Sequence, residues 1–381
     1  MRISFDRVRA EEVLGTLYER YLAGRYPFNL PEAQAPQIPA NMPKGGFASS
    51  VDHARFLFLA CLWMRGKIKS DTAIRGLSRI YETLPEAFQP EYARTLSPEM
   101  LIPILKQNAL GFAKGQNARF WIENMARLDD HWRGDPRRLF DGITSYENLC
   151  KRVRNHKTKW GRERNTEGPG FMGFQKKMTS LLAYFLMEAK LVDRFDFPLP
   201  VDFHVMRIMI AHKILAFEGS IDDFSKKHIL DAAREFAIEY AERHKVDSLH
   251  FSEFVWYFSR AMCDKHPGNI SVYTGGRNRQ TIIRAKTITW KKGQQDTYNM
   301  TCGQCPIENT CMACIPAGPY YNHGKLVIRS RRDKPPQQRL FPPTQLVLRE
   351  KRKWRKEDTP AEEVPPVPTP EELGQLPLFS S

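Results

Sequence analysis

Apolar positions recur at three- and four-residue spacing over most of the first 260 residues, the pattern of helices that each bury one face. The spacing predicts helices over 56–81, 98–110, 117–133, 178–191, 203–217, 224–244 and 252–262. The first opens with nine apolar residues in a row, FLFLACLWM (56–64), and becomes amphipathic towards Tyr81. Ser220 and Asp222 are candidate caps, and Pro85, Pro136 and Pro198 mark joints. An all-α core is expected. After Cys263 the texture changes. The stretch ISVYTGGRNRQTIIRAKTITW, rich in β-branched residues around Gly275-Gly276, predicts a β-hairpin. From 317 onwards a disordered tail is expected, because 12 of the 27 prolines fall in 316–381. A block of net charge +10 (320–356) is followed there by one of −6 (357–372).

The length of 381 residues suits about two domains, or one large domain with extensions. Lys and Arg number 58 against 43 Asp and Glu, a net charge of +15, which points to a polyanion. Nucleic acid is the first candidate and an anionic membrane surface the second. Residues 264–301 alone carry +5. The run 56–64 is too short to span a bilayer. The N-terminus, MRISFDRVRAEEV, has charges where a secretory leader needs an apolar stretch. A cytoplasmic, nucleoid-associated protein that does not enter membranes is therefore expected.

Seven cysteines sharpen the chemistry. Cys61, Cys150 and Cys263 are scattered, whereas Cys302, Cys305, Cys311 and Cys314 fall within 13 residues. In a reducing compartment such a cluster reads as metal ligation before disulfides. Taken together, the last four form C-x2-C-x5-C-x2-C, an all-cysteine zinc candidate. The gap between knuckles is short for a zinc ribbon. A second choice of four joins Cys263, at the end of a predicted helix, to the triplet Cys302, Cys305 and Cys311. Thiolates suit either zinc or an iron–sulfur cluster.

The segments WYFSRAMCDKHP and CGQCPIENTC resemble the helix end and C-x2-C-x5-C triplet of the helix-hairpin-helix base-excision DNA glycosylases of the endonuclease III and adenine-glycosylase type. That resemblance implies a [4Fe-4S] cluster on Cys263, Cys302, Cys305 and Cys311, with Cys314 spare or substituting for Cys263. Where the family has a short loop after the first ligand, this chain has 38 residues. Upstream, Met172-Gly173-Phe174-Gln175-Lys176-Lys177 resembles the family's hairpin, and Val201-Asp202-Phe203-His204-Val205-Met206-Arg207 its V-D-x-H-V-x-R motif. The segments FLFLACLWMRGKIKSDTAIRGLSRIYE and LGFAKGQNARFWIENMARLDDHWRGDPRRLF resemble the family's earlier core helices, so the likeness covers about residues 50–315. It implies a two-lobed all-α fold, with Asp202 as the essential carboxylate and Lys177 as the nucleophile of the bifunctional members. Gly173, Gln175, Lys176, His204 and Arg207 would contact DNA. Gln175 stands where the family has a second glycine, and the Lys-to-Asp separation is longer than usual.

The chemistry fits these residue types. Base removal passes through an oxocarbenium-like state at C1′, which a nearby carboxylate stabilises. A lysine attacks only as the neutral amine, to give a Schiff base and β-elimination. The target nucleotide must leave the duplex. Each residue also has a plainer role: Asp202 as a helix N-cap, His204 as a buried structural histidine, Lys177 as a solvated charge, and Trp121, Trp132 and Trp160 as packing.

The terminal QLPLF resembles the peptide with which bacterial repair proteins bind the sliding clamp, through Gln375, Leu376, Leu378 and Phe379. The expected organisation is an N-terminal helical extension (1–49), a glycosylase core (50–263), a basic insertion with cluster loop (264–316) and a tail (317–381). A monomer acting on double-stranded DNA is expected. A non-catalytic damage-binding protein and a glycosidase of RNA or modified nucleosides are the alternatives.

Overall fold

The computed structural model describes residues 2–64, 68–154, 170–218, 226–263, 270–275, 280–285, 288–289, 304–311, 320–321 and 325–328. The chain divides into two compact units. One comprises Met1–Gln34, Val201–His244 and Glu253–Ser381; the other comprises Ala35–Pro200 and Lys245–Ser252. Both are mainly helical. Among the described residues no helix is long and apolar enough to cross a membrane.

In the chain's first segment, strand β1 (Arg2–Phe5) leads into α1 (Arg7–Ala10), capped by Asp6. A π-turn (Glu11–Gly15) joins α1 to α2 (Thr16–Leu22). The second unit is then built on α3 (Ser50–Ala60), whose N-cap Ser49 accepts from the Asp52 amide. Phe56 to Ala60 are fully buried, as a helix apolar on every side requires. The single helix expected over 56–81 is broken. After Ala60 the chain tightens into i→i+3 bonds, Leu62 to Leu59 (3.0 Å), Trp63 to Ala60 (3.1 Å) and Met64 to Cys61 (3.3 Å). A new, amphipathic α4 (Ser70–Thr83) follows. The break falls where the buried run gives way to the polar RGKIKSD, which cannot follow the same path into the interior.

Helices α5 (Pro90–Ala93) and α6 (Pro98–Gln107) pack on α7 (Lys114–Trp132), α8 (Tyr146–Val153) packs on α9 (Lys176–Glu188), and α9 packs on α3. An aromatic chain holds this unit. Trp63 meets Trp121 edge-on at 5.7 Å, Trp121 meets Phe88 at 5.0 Å, and Phe88 stacks on Phe56 at 5.8 Å. Each buried indole N–H has a carbonyl acceptor, Leu110 for Trp63 and Ala87 for Trp121. Trp132, partly buried, lies under the Arg152 guanidinium at 5.4 Å.

The first unit continues with α10 (Phe203–Ala211), β2 (Leu215–Glu218), α11 (Lys226–His244), the end of α12 (Ser248–Phe258) and a π-turn, Ser259–Cys263. Here the expected helix 203–217 ends early. Lys213 adopts a left-handed φ of 56°, and residues 215–218 pair antiparallel with β1, Arg2 opposite Glu218 and Phe5 opposite Leu215. The partner strand is some two hundred residues away, so local periodicity carries no trace of it. The predicted hairpin is present as β3 (Ile270–Gly275) and β4 (Gln280–Ala285), antiparallel. Beyond it, β5 (Ile288–Thr289) pairs with β6 (Tyr320–Tyr321), and β7 (Lys325–Ile328) adds to β4. The protein is mostly helical, in line with the all-α expectation, and the described residues add three small sheets, two of whose strands lie in the stretch expected to be disordered. Ser220, Asp222 and Trp160 fall outside the described residues.

One glycine tests the packing between α4 and the segment that follows the C-terminus of α6. A Cβ on Gly76 would stand 2.4 Å from the Asn108 carbonyl and 2.9 Å from Leu110 Cγ. Alanine is the better helix former by about 1 kcal/mol. The clash outweighs it, so Gly76→Ala should lower unfolding free energy by about 2 kcal/mol in urea titration. A stabilised variant would refute this packing.

Candidate functional site

The segment before α9 is a tight turn set by two glycines. Gly170 and Gly173 have φ of 62° and 84°, and the Phe174 amide donates to the Phe171 carbonyl at 3.2 Å. Phe171 and Phe174 are buried against Phe58, at 4.9 Å edge-on and 5.0 Å stacked, and against each other at 6.0 Å. From α7, Asn124 grips the backbone between them. Its Nδ2 donates to the Met172 carbonyl (2.9 Å) and its Oδ1 accepts from the Met172 amide (2.6 Å). Arg127 Nη1 donates to the Gly170 carbonyl at 2.9 Å. Neither residue stood out in the sequence. A fully buried Asn inside a helix is their only signal, and it is visible only after folding.

The turn delivers the start of α9. Gln175 is its N-cap residue, exposed and without a side-chain capping bond. The first-turn amides of a helix have no acceptor within the helix, so this end favours anions. Lys176 is exposed, with its carbonyl accepting from Tyr146 Oη at 2.6 Å. Lys177 is half-buried, and its Nζ donates to the Met64 carbonyl at 3.2 Å, in the turn that follows α3.

Asp202 belongs to the other unit. It is half-buried and caps α10, with Oδ1 accepting from the amides of His204 (2.8 Å) and Val205 (3.5 Å). The plainer reading of this Asp as a cap is therefore met. His204, grouped above with DNA contacts, is instead buried at 6% exposure. Its Nδ1 is 3.0 Å from Ser259 Oγ, and its ring meets Trp256 edge-on at 5.8 Å. The apolar face of α10 leaves position 204 inside. Arg207 lies on α10 with its side chain outside the described residues.

Cys263 closes the π-turn after α12, and Cys305 and Cys311 bracket a compact loop in the same unit. Bonds from the Glu308 amide to the Cys305 carbonyl (3.1 Å) and from the Cys311 amide to the Glu308 carbonyl (3.0 Å) shape that loop. All three cysteines are half-buried. Among the described residues no three His, Cys, Asp or Glu gather closely enough to hold a metal. Cys302 and Cys314, like Gln375, Leu376, Leu378 and Phe379, lie outside the described residues. Thiol donors of this kind suit zinc or an iron–sulfur cluster alike.

The same loop meets α10. Ile307 is buried, and His212, the C-cap residue of α10, has Nδ1 2.7 Å from Thr310 Oγ1. Thr310 directs its own proton to the Ile307 carbonyl at 2.9 Å, so it accepts from His212. Burial, with a lesser contribution from the Arg9 charge, pushes the His212 pKa down from 6.5 to about 3. A surface cavity lined by Arg7, Glu11, Tyr240, Arg243 and His244 holds none of the residues singled out by sequence.

No family model and no curated protein sequence matches the chain. Among solved structures it is similar to the 8-oxoguanine glycosylase/lyase of Methanocaldococcus jannaschii, crystallised with a 15mer DNA containing 8-oxoguanine. The identity is 13% and the TM-score 0.38, over 64% of this chain and 95% of that one. A likeness this distant establishes neither fold nor function.

Neutral burial of His212 has a pH signature. Its folded pKa lies below the unfolded 6.5, so its contribution is full above pH 6.5 and is lost as pH falls towards 3. Between pH 7 and 4 the urea midpoint should fall, and it should fall less in His212→Gln. Equal slopes for the two proteins would remove His212 from the acid sensitivity.

Proposed function

We propose that the chain is a helix-hairpin-helix DNA glycosylase that excises a damaged or mispaired base, with a [4Fe-4S] cluster and an accompanying lyase activity. The observation that carries the reading is Asp202, a half-buried carboxylate fixed at the start of an apolar helix. It follows, in sequence, a glycine turn that opens a lysine-bearing helix. In this reading the α9 end takes a backbone phosphate on its first-turn amides, with Gln175 and Lys176 exposed beside it. The target nucleotide is flipped out. As the N-glycosidic bond breaks, positive charge grows at C1′, and the Asp202 carboxylate stabilises it. Lys177, as the free amine, attacks C1′ to form a Schiff base, and β-elimination cuts the strand.

Cys263, Cys302, Cys305 and Cys311 would hold the cluster, which when bound supplies a rigid cross-link rather than bond-making chemistry. The basic insertion and tail add phosphate affinity that weakens with salt. The terminal QLPLF offers apolar anchors to the hydrophobic pocket of a bacterial sliding clamp.

One observation favours a second form of this reading. Lys177 already donates one ammonium N–H to the Met64 carbonyl, which anchors the side chain against the turn after α3. A lysine used in this way is structural, and the enzyme is then a monofunctional glycosylase.

Lesion-bearing duplexes incubated with and without borohydride separate these possibilities. Asp202→Asn should lower base release about 100-fold or more. Lys177→Ala should abolish borohydride trapping while leaving base release measurable. Base release without trapping in the unaltered protein supports the monofunctional form, and no release from any lesion sinks the glycosylase reading. Anaerobic protein should be brown and contain iron and sulfide. Zinc without iron would overturn the cluster.

A further inference from the structure

Helix α10 carries Asp202 at one end and is otherwise almost wholly apolar. Val205, Met206 and Ile208 to Ala211 are all buried. Apolar burial holds such a helix in the interior, but it is non-directional and does not by itself choose a rotation about the helix axis. Directional bonds choose it.

Two such bonds are present, one at each end, and they have the same construction. Near the N-terminus, buried His204 meets the buried hydroxyl of Ser259 through Nδ1 at 3.0 Å. At the C-terminus, buried His212 meets the buried hydroxyl of Thr310 through Nδ1 at 2.7 Å. Ser259 opens the π-turn that ends at Cys263, and Thr310 immediately precedes Cys311. Both hydroxyls therefore belong to the segments that bear the cysteines. Resting on the glycosylase reading of Asp202, we infer that His204 and His212 are positioning residues that fix both ends of α10, and with it the Asp202 carboxylate, onto the two cysteine-bearing segments.

The coupling is physically short. His204 donates its own amide to Asp202 Oδ1, so a shift of the His204 ring against Ser259 acts on the cap next to it. His212 acts through the helix, a rigid rod of about 13 Å for nine residues. Removing either hydroxyl leaves a buried ring nitrogen without its acceptor or donor, and α10 relaxes to satisfy it.

The test uses full-length protein with Ser259→Ala, Thr310→Val, His212→Leu and His212→Asn. The Asn amide can restore the bond to Thr310. Hydrogen exchange at the His204 and Val205 amides reports the Asp202 cap directly, whatever the protein excises. It should accelerate about fivefold in Ser259→Ala, Thr310→Val and His212→Leu, and less in His212→Asn. Single-turnover base release at saturating duplex should fall roughly tenfold with duplex affinity unchanged. Unaltered exchange at both amides overturns the inference. Accelerated exchange with unchanged single-turnover rates also overturns it. Absence of base release in the unaltered protein sinks the glycosylase reading alone, and exchange then decides whether the two histidines hold the cap.

Discussion

A helix that is apolar on every side must be buried along its whole length, and its polar ends then need partners inside the protein. Each unit contains a helix with one such stretch. In one unit α3 is sealed from solvent from Phe56 to Ala60, and in the other α10 is buried from Ile208 to Ala211. The chain following α3 offers the Met64 carbonyl, and the ammonium of Lys177 meets it. The first turn of α10 offers amides, and the Asp202 carboxylate accepts from them. A cation beyond a helix C-terminus and an anion at a helix N-terminus are what the helix dipole favours. Lys177 and Asp202 thus each supply the polar partner at an end of a helix that carries a long buried apolar stretch.

Only part of this was legible in the sequence. Long amphipathic helices such as α7 and α11 announce themselves through a period that depends only on their own residues. So does the β3–β4 hairpin around its glycines. Asp202, Lys177 and Gly173 were singled out through the family resemblance, and they stand at a cap, a helix start and a turn. The break after α3 was not legible, because its continuous apolar run gives no period to interrupt. The early end of α10 was hidden because the strand that claims Leu215–Glu218 comes from the N-terminus.

The residues that hold the candidate site form the other illegible class. Asn124 and Arg127 clamp the turn at 170–173 across more than forty positions, and Ser259 and Thr310 reach α10 across 55 and 98. Asparagine, serine and threonine within or beside helices are common, and nothing in their neighbours marks them. Their meaning comes from burial, which turns an optional hydrogen bond into an obligatory one. Conversely, the position of His204 in a family-like motif suggested a surface contact, whereas the apolar stripe of its own helix had already turned that position inwards.

A rod bonded at one end can still pivot about that end; bonded at both, it cannot. Misplacement of a reacting group by about 1 Å costs on the order of 100-fold in rate. At the tip of a rod of about 13 Å, 1 Å is a swing of only about five degrees. Apolar packing opposes such a swing through many weak contacts, each of which loses only part of its small well over a gap of about 1 Å. Two histidine–hydroxyl bonds at opposite ends do not tolerate it, since each weakens steeply as its angle opens. A carboxylate that must stabilise a short-lived cation therefore gains more from a polar bond at the far end of its helix than from further apolar contacts along it.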